Sequence, residues 1–218
     1  MNLTRLGKRA AVVATAAIVA SGLATAPASA STTTKPLGTR SLAAVLTADK
    51  SGFDRNGRDF DVLTAAVLAV LDAKPASPVK VLTDGKTALT AFTPNDTAFA
   101  RLVADLQGTK RLPGEKQAFT AVAGLGIDTV ESVLLYHVVP GATVDRKAAL
   151  KADGAKLTTA SGGTIKVDVY GCWWARGVKL VDADRNDADA RVAKFDLNKG
   201  NRQIAHAVDR VLRPADLP

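Results

Sequence analysis

Thr90–Leu106, TAFTPNDTAFARLVADL, changes its hydrophobic period in mid-course and carries a helix start signal at the change. The residues up to Thr93 form a short β-prone run, and Pro94 ends a ladder there by removing a backbone donor. Asn95 is a favourable N-cap and Asp96 places negative charge in the first turn, where the helix dipole favours it. Phe99, Leu102, Val103 and Leu106 then recur at i, i+3, i+4 and i+7. Strand, turn and amphipathic helix follow one another without slack, and one apolar stripe is aimed at a core.

Upstream, Val79–Thr83 and Ala88–Phe92 read as two short strands joined through Asp84-Gly85, which predicts a hairpin leading into this stretch. Before them, Phe60, Leu63, Val67, Val70 and Leu71 line one helical face that stops at a double-proline linker, Lys74–Pro78. Ser41 can cap a short helix to Leu46, with a loop over Ser51–Gly57. Downstream, Pro113-Gly114 interrupts a polar connector ahead of a short helix at Glu115–Val122. Asp128 and Glu131 have capping-box spacing, and Val130, Val133, Leu134 and His137 share the face of the helix that Pro140-Gly141 ends. Strands are expected at Ala155–Thr159, Thr164–Tyr170, Val178–Val181, Arg191–Leu197 and Gln203–Leu212. Helices early and strands late predict an α+β domain, not a parallel βαβ sheet.

The N-terminus reads as an export signal. Arg5, Lys8 and Arg9 precede an uncharged run from Ala10 to Ala26 and the small residues Ala28-Ser29-Ala30, so residues 1–30 are expected to be a cleaved signal peptide. The polar residues 31–40 read as a flexible linker, 41–214 as the domain and 215–218 as a tail. No lipid-accepting cysteine follows the cleavage site and no hydrophobic tail closes the chain, so the product is expected to be secreted or loosely held at the cell wall, without a stable membrane anchor.

Cleavage removes three of the 29 basic residues and none of the 21 acidic ones, leaving a net charge of +5. That charge is interleaved with acids and carries no aromatic RNA-binding motif, which argues against nucleic acid as partner. The mature chain is long enough to bury one core without disulfides. Its single cysteine, Cys172, excludes an intramolecular bridge, so a monomer is expected, with a Cys172-linked dimer as the alternative.

Three stretches in order resemble the fasciclin-type domain: TAFTPNDTAFARL (Thr90–Leu102), VLLYHVVPGATV (Val133–Val144) and NRQIAHAVDRVLRP (Asn201–Pro214). ADGAKLTTASGGTIKV (Ala152–Val167) is similar to that family's paired strands. The resemblance implies a wedge of a β-sheet core with packed helices, used by extracellular proteins for adhesion or matrix contact. It also implies a ligand-contact set whose matching positions here are Tyr136, His137, Asp196 and Leu197, with Leu197 standing where the family more often has Ile. GCWWARG (Gly171–Gly177), the acidic DADRNDAD (Asp182–Asp189), and Asn-Arg-Gln in place of Asn-Gly at Asn201 depart from the pattern.

His137 on its apolar stripe and His206 at strand spacing with Ile204 and Val208 read as hydrogen-bonded core residues. Asp182, Asp184 and Asn186 have the 1, 3, 5 spacing of a calcium loop. Asp187 stands where its glycine belongs and Ala193 where its glutamate belongs, so a solvated loop is expected. There is no Gly-x-Ser-x-Gly elbow, His-Glu-x-x-His helix or P-loop, and two histidines and one cysteine leave few ways to build a zinc or thiol site. The sequence therefore predicts a binding or adhesion module with no metal or cofactor, whose partner is an extracellular protein or polysaccharide. A small-molecule or carbohydrate-acting enzyme on the same fold is the rival reading. Trp173 and Trp174, if exposed, would serve a protein partner.

Overall fold

Local capping signals set the helical half. The computed structural model describes residues 35–217 apart from Trp173, so the expected signal peptide, the start of the linker and Trp173 lie outside the described residues. Ser41 Oγ accepts the Ala44 N–H at 3.1 Å and starts α1 (Leu42–Leu46). The next helix, α2 (Asp61–Ala73), buries Val62, Leu63, Ala66, Val67 and Val70. Strand β1 (Leu89–Pro94) runs into α3 (Asp96–Leu106), where Asn95 Oδ1 accepts the Ala98 N–H at 2.9 Å. Then come α4 (Glu115–Gly124), α5 (Ile127–Tyr136), β2 (Val138–Pro140) and the single-turn α6 (Arg146–Ala149). The strands β3 (Lys156–Thr158), β4 (Thr164–Cys172), β5 (Ala175–Val181), β6 (Ala190–Leu197) and β7 (Gln203–Val208) complete the α+β architecture.

The seven strands form one sheet in the order β2-β1-β7-β6-β5-β4-β3. Only β1 and β7 pair in parallel, from Leu89 opposite Gln203 to Pro94 opposite Val208. Every residue of these two strands is buried, as expected where both faces of a strand are covered. Their alternation sends Leu89, Ala91 and Ala205 to a large core with α1–α5, and Phe92 and Val208 to a second core with β4, β5 and β6. Ala149 of α6, with Leu150 and Ala152 in the turn after it, packs against this second core.

The structure corrects several local expectations. Val79–Thr83 is not a strand: Pro78–Thr83 is a 3-10 helix capped by Ser77, with Val79 and Leu82 buried three residues apart. Gln203, fully buried on β7, holds it there by donating from Nε2 to the carbonyls of Val81 and Asp84, at 2.7 and 2.9 Å, and by accepting the Leu42 N–H. The expected hairpin is therefore absent and β1 takes β2 and β7 as neighbours. Gly85 still turns the chain, but what demands glycine is a close approach, since a Cβ there would lie 1.8 Å from the Thr39 carbonyl oxygen.

Helix α5 begins after Gly126, in the left-handed region at φ 88°, so Asp128 lies inside the first turn instead of capping it. Asp128 and Glu131 both pair with Lys74 at the end of α2. β7 ends at Val208, short of Leu212. The linker is anchored near its end, because Gly38 exchanges backbone hydrogen bonds with Gly200 and Arg202 and the Arg40 N–H reaches Asn201. Among the described residues no single helix is long and apolar enough to cross a membrane.

Candidate functional site

His137 caps the C-terminus of α5 and is buried. Its Nε2 accepts the Leu212 N–H at 2.9 Å, so Nδ1 carries the proton and donates to the Val133 carbonyl at 2.7 Å. Desolvation of the cation pulls its pKa down to about 4, against the pull of the Val133 carbonyl. Tyr136 is also fully buried: its hydroxyl donates to the Thr164 carbonyl at 2.8 Å, and burial pushes its pKa up to about 12. The ring leaves no room at Gly163, where a Cβ would meet it at 2.6 Å. The pair pins the end of α5 to β4 and to the C-terminal segment.

Asp196 and Leu197 sit at the end of β6, where the register against β7 shifts and Asp196 takes φ 64°. The shift turns the Asp196 N–H onto His206 Nδ1 at 3.1 Å, so His206 carries its proton on Nε2 and donates to the Val144 carbonyl at 2.8 Å. Burial lowers the His206 pKa. The Asp196 carboxylate accepts the Arg146 N–H at 2.7 Å and the Lys199 ammonium at 2.6 Å. Burial pushes that carboxyl up, but these donors outweigh it and hold it below the usual carboxylate range. Leu197 is half-buried against the larger core. Of the four family-matched positions, then, two lie inside the protein and two reach its surface. With both nitrogens of each histidine engaged, neither imidazole is placed as a general base.

The acidic segment is a solvated loop only in part, with Ala183, Arg185, Asn186 and Ala188 exposed and Asp184 buried. Asp184 and Asp187 close around the buried guanidinium of Arg213, at 3.3 Å each, and Asp105 of α3 adds a contact at 3.4 Å. Asp182 accepts the Arg213 backbone N–H at 2.7 Å, and burial lifts its pKa to about 7. Arg213 lies near the end of the third family-like stretch and the acids belong to the departure from the family pattern, so neither signal alone points to the other.

Asp96 does more than its first-turn position in α3 suggests. Its side chain is buried, and it accepts the N–H groups of Asp61 and Val62, at 3.1 and 2.8 Å, serving as an external cap for α2. Burial, then a hydrogen bond shared with Asp59, push its pKa up to about 8. Among the described residues, Asp59, Asp96 and Glu115 bring one oxygen each within 4.8 Å of one another, as do Asp54, Asp59 and Asp61. Asp96 already holds the start of α2, and Glu115 accepts the Asp54 N–H.

At the β4–β5 turn, Trp174 is 70% exposed and Tyr170 42% exposed, and the Arg191 guanidinium lies 5.7 Å from the Tyr170 ring centre. Cys172 is exposed in the same turn.

The fasciclin domain family model matches residues 64–214, and the chain belongs to that family. Among solved structures it is similar to a FAS1 domain pair from the insect cell adhesion molecule Fasciclin I, with 13% identity and a TM-score of 0.47. That match covers 73% of this chain and 46% of the other, so the chain spans about half the length of the domain pair. No curated protein sequence matches.

Proposed function

We propose that this chain is an exported binding and adhesion module without chemistry of its own, and that it contacts an extracellular protein, a matrix component or a cell-wall polysaccharide. Membership of a family of adhesion modules supports the class. The observation that carries the contact is the β4–β5 hairpin, where Trp174 at the turn and Tyr170 on β4 are exposed and the Arg191 guanidinium lies over the Tyr170 ring. An aromatic face with a cationic flank stacks on sugar rings and anchors protein interfaces. Asp196 and Leu197 are the half-buried members of the family-matched set, while Tyr136 and His137 are buried. The engaged histidines favour binding over the rival enzyme reading. Export rests on the N-terminal signal, and the exposed Cys172 leaves room for a disulfide-linked dimer beside the monomer.

The test uses mature protein from Ser31, immobilised and exposed to purified cell-wall polysaccharide and to matrix proteins. Trp174→Ala and Tyr170→Ala are expected to weaken retention roughly tenfold or more without changing Tm, and added salt to weaken it further. Retention unchanged in both variants would remove the turn as the contact. A non-reducing gel distinguishes the Cys172 dimer from monomer.

A further inference from the structure

A chamber of about 200 Å3 opens between α6 and the sheet, whereas two other apolar cavities in the molecule hold about 20 Å3 each. Phe92, Leu180, Val192, Phe195 and His206 line its sheet side, and Ala149 lines the side of α6. The origin of the space is visible in the sequence. The single turn Arg146–Ala149 and the residues after it line the chamber with Ala148, Ala149 and Ala152, small side chains opposite a sheet surface that larger partners would fill. Protein interiors rarely leave voids much larger than a water molecule. Phe92, Leu180, Val192 and His206 are buried, whereas Leu157, Phe195 and Ala152 are half-buried and Ala148 is exposed, so the chamber approaches the surface along this rim.

The wall has almost no polar capacity to spare. Thr90 Oγ1 donates to the Ala142 carbonyl at 2.8 Å and accepts the Val144 N–H at 2.9 Å, and both His206 nitrogens are bonded. Ordered water needs two to four polar partners and does not find them here. Phe195 stands edge-on to His206 at 5.4 Å between centroids, and Phe92 is tilted at 6.0 Å, so aromatic edges and faces line the space. A dry cavity of roughly 150 Å3 accommodates benzene. We propose that this chamber is a binding site for a small uncharged aromatic molecule of one or two rings, held by shape and apolar contact and separate from the outer contact turn.

Mature protein is titrated with benzene, indole and naphthalene, and with benzoate as the charged counterpart. The neutral rings are expected to raise Tm by about 4 °C at ten times their Kd, and benzoate to leave it unchanged. Ala149→Leu and Ala152→Leu place a larger side chain in the chamber and are expected to abolish the response while the free protein melts no lower than the parent; Trp174→Ala should respond like the parent. Amide NMR of the unaltered protein gives an independent reading, with perturbations at Ala149, Phe195 and His206 expected. The proposal is overturned by no response to any neutral ring, by an equal response to benzoate, by an undiminished response in folded filling variants, or by perturbations confined to other residues.

Discussion

Replacing His137 with glutamine turns the geometry of one buried ring into a measurable pH dependence. The imidazole bridges the Val133 carbonyl and the Leu212 N–H, and burial takes its pKa to about 4. In the unfolded chain it titrates near 6.5. The unfolded state therefore binds the proton first as pH falls. Stability from the neutral ring is complete above about pH 6.5, declines below it, and is fully lost once the folded form protonates near pH 4. A gap of roughly 2.5 pH units at 1.36 kcal/mol each corresponds to about 3 kcal/mol. His137→Gln has no such titration and removes part of the bridge and packing, so it is expected to be less stable than the parent at pH 7.5 by about 2–4 kcal/mol. As pH drops to 4 that gap should narrow by about 3 kcal/mol. Urea unfolding of both proteins followed by far-UV circular dichroism between pH 4 and 7.5 measures it, and contributions from His206 and the shifted carboxyls cancel in the difference. A gap that stays constant over this range would refute the account of His137 as a doubly bonded, desolvated ring.

Asp96→Asn tests a slope of opposite sign. The folded-state pKa is raised to about 8, so the stability this group contributes is complete below about pH 4 and disappears as pH rises through 8. The parent Tm should fall from pH 5 to pH 8, and the variant should lose up to about 1.4 kcal/mol per pH unit of that slope. Arg213→Leu leaves Asp184 and Asp187 buried without their cation and should cost about 3–5 kcal/mol at pH 7, less at pH 4, in denaturant melts. Gly85→Ala drives a methyl into the backbone at Thr39 and should cost about 2 kcal/mol, seen as a lower urea midpoint with an unchanged m-value.

What was legible in the residues was the local part. Ser41 and Asn95 announce their helices because a capping side chain acts on an N–H only three positions away. The stripes on α2, α3 and α5 show which faces enter the core, and the apolar settings of His137 and His206 show that both rings belong to packing. The ordered stretches around Thr90, Val133 and Asn201 pointed to the family whose model spans residues 64–214.

Tertiary structure decided whatever depends on partners far along the chain. Val79–Thr83 has strand-like composition, yet it folds as a 3-10 helix whose Val81 carbonyl, with that of Asp84 just beyond it, is held by the buried amide of Gln203. Asp96 looks like a dipole residue of its own helix and instead caps another that starts before it in sequence. The acids at 182–187 look solvated until Arg213 folds in among them. Periodicity and capping report on neighbours within about a turn, whereas pairing of β1 with β7, a buried ion cage and a chamber walled by alanines on one side depend on which distant surfaces meet.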